Sequence, residues 1–124
     1  MDRAHGSAVV LCVDDEESNR QLISKLFARR RPQDVIISAA SGQAALEYAR
    51  AEAPQLVLLD LGLPGMSGDE VLRKLKQDHD VPVIVISGHA DQATRDRLLG
   101  EGADAYVAKP FDAGELFRLI ERFI

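Results

Sequence analysis

Five short apolar runs alternate with amphipathic stretches along the chain, and that alternation predicts a parallel α/β sheet. The runs are Val9–Val13, Val35–Ala39, Leu56–Leu59, Val83–Ser87 and Ala105–Ala108. Four of them are continuously apolar, as expected of strands covered by helices on both faces. Val35-Ile36-Ile37-Ser38 is shorter and suits an edge. Periodicity alone does not separate such runs from buried helix; β-branched content and flanking Gly and Pro decide for strand.

The intervening segments carry helical stripes. Leu22, Ile23, Leu26 and Phe27 form one, Val71, Leu72 and Leu75 another, and Leu116, Leu119, Ile120 and Phe123 close the chain. Ser67-Gly68-Asp69-Glu70 and Asp112-Ala113-Gly114-Glu115 have the cap-and-acid spacing that starts a helix. An Ala-rich helix is expected after Ser41, over 42–52. The helix expected over 92–100 has the weakest stripe, mainly Ala93, Leu98 and Leu99, which marks a loosely held element. The segment Met1 to Ala8 reads as a short loose tail ahead of one domain over 9–124.

Composition narrows the class. At 124 residues, 46% hydrophobic and 28% charged, the chain has the make-up of one globular domain. Asp and Glu outnumber Lys and Arg by 20 to 15, for a net charge of -5, which argues against direct nucleic-acid binding. Arg29-Arg30-Arg31 is the one local exception, and it reads as cations placed at a helix carboxyl end. The lone cysteine, Cys12, lies inside an apolar run and reads as a buried, inert thiol, in keeping with a cytoplasmic protein. No apolar stretch approaches the roughly 20 residues that cross a bilayer, so no membrane role is expected. The histidines are scattered: His5 and His79, in a tail and a turn, read as solvent-exposed, and His89 stands two residues after Ser87.

The candidate chemistry lies where the runs end. Val13 leads into Asp14-Asp15-Glu16, Leu59 into Asp60, Ile86 into Ser87, and Ala108 into Lys109. In a parallel sheet these endings share the carboxyl-terminal edge, where open α/β sheets bind ligands. One acid after a strand is ordinarily a cap or a solvated turn. Three gathered together repel one another unless a cation sits among them or they take up protons. Mg²⁺ suits such hard oxygen ligands. Lys109 adds a mobile point charge able to pair with Asp60, and Ser87 a hydroxyl donor.

In this order the motifs Val13-Asp14-Asp15-Glu16, Asp60-Leu61-Gly62-Leu63-Pro64-Gly65-Met66-Ser67-Gly68, Ser87-Gly88 and Tyr106-Val107-Ala108-Lys109-Pro110 resemble the receiver domain of two-component response regulators. The resemblance spans Val9 to Ile124. It implies a flavodoxin-like, doubly wound five-stranded parallel sheet of order 2-1-3-4-5 with five helices. It further implies that Asp60 is the phosphoacceptor for a phosphohistidine, on a histidine kinase or a histidine phosphotransfer protein. Asp15, Asp60 and the backbone carbonyl of Gly62 would ligate Mg²⁺ (or Mn²⁺), with Asp14 acting through water. Lys109 and Ser87 would hold phosphoryl oxygens, Ser87 standing where Thr is commoner. Tyr106, the loop from Gly88 to Asp91 and the fourth helix would shift as a switch, and the Lys109–Pro110 bond would be cis. Kinase docking is expected near Asn19, Leu22 and Ile23.

Two other readings share the fold. A phosphatase with an aspartyl nucleophile needs a second Asp two residues later as general acid, where this chain has Gly62. A flavin module needs a Ser/Thr/Gly-rich phosphate loop after Val13, where this chain has acids. A receiver is therefore expected to act as a switch with slow self-dephosphorylation rather than as an enzyme. The output target is not legible, a monomer or a weak dimer through the fourth and fifth helices is expected, and an ending just after the last helix fits both a stand-alone receiver and part of a larger regulator.

Overall fold

A computed structural model describes residues 7–88 and 91–124. Strands and helices alternate throughout: β1 (Val9–Val13), α1 (Glu17–Arg30), β2 (Val35–Ala39), α2 (Gly42–Glu52), β3 (Leu56–Asp60), α3 (Gly68–Asp78), β4 (Val83–Ser87), α4 (Gln92–Gly100), β5 (Ala105–Ala108) and α5 (Ala113–Ile120). All strand pairs are parallel, in the order β2-β1-β3-β4-β5. Each expected strand forms, and β3 runs one residue further so that Asp60 itself pairs with Ile86.

Side chains alternate across a strand, so a continuously apolar run feeds two cores at once. Leu11, Val57, Leu59, Val83 and Val85 meet Ala45 and Ala49 of α2, the α3 stripe and Leu98 of α4. Their neighbours Val10, Cys12, Leu58, Ile84 and Ile86 meet Ile23 and Phe27 of α1 and Leu116, Phe117 and Ile120 of α5. The sheet is therefore wound on both faces. β1, β3 and β4 are wholly buried. β2 is the expected edge, and β5 is the other, half-buried despite its apolar run.

Local signals account for the helix starts. The side chains of Ser41, Ser67, Asp91 and Asp112 accept hydrogen bonds from the N–H groups of Ala44, Glu70, Thr94 and Glu115. The last helix stops earlier than its stripe suggested. Arg122 and Phe123 donate to carbonyls three residues back, tightening the final turn, yet Phe123 still packs on the α1–α5 core.

Other expectations need correction. In α4 only Leu98 is buried; Ala93 and Leu99 are exposed. Arg29, Arg30 and Arg31 do close α1 as cations at its carboxyl end, but Arg31 is also buried, ion-paired with Asp34, and its Nη2 donates to the Ile124 carbonyl. Arg30 covers the Phe117 ring at 5.3 Å. Ser7 and Ala8, expected in a loose tail, are bonded to the Gln33 carbonyl and the Asp34 carboxylate. Residues 1–6, with His5, lie outside the described residues.

One close approach holds the loop that follows Asp60. A Cβ on Gly68 would lie 2.5 Å from the Leu61 Cα and 3.0 Å from the Asp60 carbonyl oxygen. Gly68→Ala should cost about 2 kcal/mol by overpacking, seen as a lower urea midpoint with an unchanged slope. A midpoint equal to that of the native chain would show that the loop gives way freely.

Candidate functional site

Parallel pairing brings the polar strand endings together. Val13 is level with Leu59, Asp60 with Ile86, and Ser87 with Ala108, so Asp14, Asp60, Ser87 and Lys109 share the carboxyl edge. Asp14, Asp15 and Asp60 each offer a carboxylate oxygen within 4.8 Å of the others. Asp14 and Asp60 are buried, whereas Asp15 faces solvent. At that separation each pair of charges repels by roughly 3 kcal/mol in a partly screened site.

Backbone groups and one ammonium offset the repulsion. Asp14 Oδ1 accepts from the Glu16 N–H at 2.9 Å, and Asp60 Oδ1 from the Gly62 N–H at 3.1 Å. The Lys109 Nζ lies 3.2 Å from Asp60 Oδ2 and 3.5 Å from Asp14 Oδ2. Burial pushes the Asp14 carboxyl above its ordinary range, and the charge of Asp60 adds to this; the Glu16 N–H and the Lys109 ammonium pull the other way. Burial draws the Lys109 ammonium down, but Asp60 and Asp14 together outweigh it and raise it. The Lys109 N–H donates to the Ser87 carbonyl at 2.8 Å, which ties the ends of β4 and β5 together, and the Lys109–Pro110 peptide is cis.

The donor set is all oxygen. Cys12 lies below the site, and burial first, then Asp14, pushes its thiol up to about 12. It stays protonated and does not act as a soft ligand. Buried and exposed carboxylates of this kind fit a hard divalent cation that keeps several waters.

A family description, the response regulator receiver domain, matches residues 10–121. The chain belongs to the response regulator receiver domain family. The transcriptional regulatory protein KdpE of Mycobacterium tuberculosis (strain ATCC 25618 / H37Rv) is 40% identical over 107 residues, which cover 86% of this chain and 46% of that protein. Hybrid signal transduction histidine kinase D of Dictyostelium discoideum is 32% identical over 115 residues, covering 90% of this chain and 7% of that protein. Among solved structures, the Francisella response regulator 1452 receiver domain superimposes with a TM-score of 0.87 at 26% identity, covering 94% of this chain and 95% of that one. The chain thus spans less than half the length of these two curated relatives. Receiver domains are signalling switches of two-component systems that work with histidine kinases or phosphotransfer proteins, and the family generally uses Mg²⁺. Among the described residues no helix is long and apolar enough to cross a membrane.

The other residues singled out from the sequence divide. Ser87 is buried at the end of β4. Tyr106 packs against the α2–α3–α4 core, and its hydroxyl is buried with no hydrogen-bond partner among the described residues. Leu22 is 46% exposed and shares an open groove with Asn19, Lys109, Pro110 and Phe111. Ile23, expected at that surface, is instead in the core. His79 is half-buried at the end of α3, and His89, with the centre of the expected switch loop, lies outside the described residues.

Sequence reasoning missed Arg20, whose Nη1 donates to the Asp14 carbonyl at 2.8 Å. A cation so near the start of a helix opposes the helix dipole, and that was the available signal.

Burial makes Cys12 inert in the folded chain. At pH 8 it should react with Ellman's reagent at least about a hundred-fold more slowly than a free thiol, and fully once guanidinium unfolds the protein. Prompt reaction of the native chain would show that the α1–α5 core opens readily.

Proposed function

We propose that this receiver accepts a phosphoryl group on Asp60 from a phosphohistidine and changes conformation in response. The observation that carries the reading is the meeting of three carboxylates with the Lys109 ammonium, 3.2 Å from Asp60, at one sheet edge. A carboxylate oxygen of Asp60 bonds to phosphorus, the N–P bond of the donor breaks, and the departing ring nitrogen takes a proton from solvent. Asp15, Asp60 and the backbone carbonyl of Gly62 would hold Mg²⁺, with Asp14 acting through water. When bound, the ion neutralises charge on the phosphoryl group.

The protein's own groups do the positioning. Lys109 moves from pairing with Asp60 to a phosphoryl oxygen, and the Ser87 hydroxyl donates to another. As Ser87 shifts, Tyr106 turns into the space it leaves, and the loop after Gly88 and α4 follow. The unpartnered Tyr106 hydroxyl favours a two-state side chain, because a buried hydroxyl without a partner costs about 1–3 kcal/mol. α4 suits a moving element, since Leu98 is its one buried side chain. Phosphorylation biases the two states only as far as it binds one of them better.

The exposed Leu22 and the groove beside Lys109 support docking of a histidine kinase or phosphotransfer protein there. Gly62 is exposed and presents no acid next to Asp60, which argues against turnover of external phosphomonoesters. A cytoplasmic location, and an output domain or partner protein as the target, complete the reading.

With Mg²⁺ and acetyl phosphate, the native chain should incorporate one phosphoryl group, transferred with release of acetate. Asp60→Asn should incorporate none, and Lys109→Ala should lose its conformational response while still binding Mg²⁺. Equal incorporation by the native chain and Asp60→Asn would remove Asp60 from the role.

A further inference from the structure

Asp15 is the exposed member of the acidic cluster and makes no hydrogen bond of its own among the described residues. Its place is therefore set by the backbone on either side. Glu16, which caps α1, gives no side-chain bond to the helix start. The turn is held instead through Asp14, whose N–H donates to the Ala39 carbonyl at 3.0 Å and whose Oδ1 accepts from the Glu16 N–H at 2.9 Å. The remaining backbone group, the Asp14 carbonyl, accepts from Arg20 Nη1 at 2.8 Å.

The choice of partner is informative. Arg20 follows a run of four acids, Asp14 to Glu17, yet forms no ion pair with any of them among the described residues. Its guanidinium reaches back along α1 to a neutral carbonyl beneath the site. A cation needed only for charge balance would pair with a carboxylate.

We propose that Arg20 is a positioning residue: it clamps the Asp14 carbonyl and so fixes the β1–α1 turn that presents Asp15 to the metal-holding cluster. The inference rests on the site proposed above. Clamp and charge make opposite forecasts. Removing a positive charge beside a cation site tightens cation binding, whereas releasing the turn scatters Asp15 and weakens it.

The test is a calorimetric titration of the full chain with Mg²⁺ alone, comparing native protein, Arg20→Ala, Arg20→Lys and Asp15→Asn. Arg20→Ala should bind Mg²⁺ about ten-fold more weakly, the scale usual for groups that orient metal ligands. Arg20→Lys keeps a charged donor, should recover most of the loss, and remains informative if the alanine variant folds poorly. Amide exchange supplies a readout without metal: the Glu16 N–H should lose protection in Arg20→Ala while that of Phe27, deep in α1, does not. Unchanged or tighter Mg²⁺ binding by Arg20→Ala, with Asp15→Asn weakened, would overturn the clamp and leave the site reading intact. Absence of binding by the native chain, or no effect of Asp15→Asn, would overturn the site reading and the clamp with it.

Discussion

Like charges held at one edge of a parallel sheet are the constraint on which the structure turns. Parallel pairing leaves no freedom in where Asp14 and Asp60 go: each sits at the end of a buried strand, level with its neighbour. Their repulsion is offset by backbone N–H groups and by the Lys109 ammonium, whose contacts reach both. The arrangement remains short of positive charge by design of the residues present, with Asp15 open to solvent.

The scaffold divides into a stiff part and a lightly held part. β1, β3 and β4 feed two cores at once, and α1, α3 and α5 each contribute two or three buried side chains. α4 differs. Beyond Leu98 it is fastened by polar contacts, Arg97 bonding Asp69 of α3 at 2.7 Å while its C-cap, Glu101, lies 3.6 Å from Arg73. Exposed ion pairs of this kind contribute modestly and weaken with salt. An element held that way can shift at small cost, and it packs beside β5, the strand that bears Tyr106.

The strands and the site were legible in the sequence for one physical reason. Strands buried on both faces must be apolar at every position, so their polar endings stand out. The same logic failed at β5, where an apolar run lies on an edge, and at α4, where Leu99 matched the stripe but points to solvent. Exposure depends on what packs beyond a residue, and the chain pattern does not record that. Ile23 and Leu22 are adjacent and alike, yet one is core and the other surface. Arg31 and Arg20 were harder still, because their roles lie in bonds to a distant chain end and to a single backbone carbonyl. Neither bond leaves a motif.

The central claim is that Asp60, and neither of its acidic neighbours, takes the phosphoryl group. Borohydride reduction of the phosphorylated chain followed by peptide mass spectrometry tests this directly, because reduction converts an aspartyl phosphate to homoserine. Homoserine at position 60 alone is the result expected. Homoserine at position 14 or 15, or an unmodified residue 60 in a chain that has taken up phosphate, would contradict it.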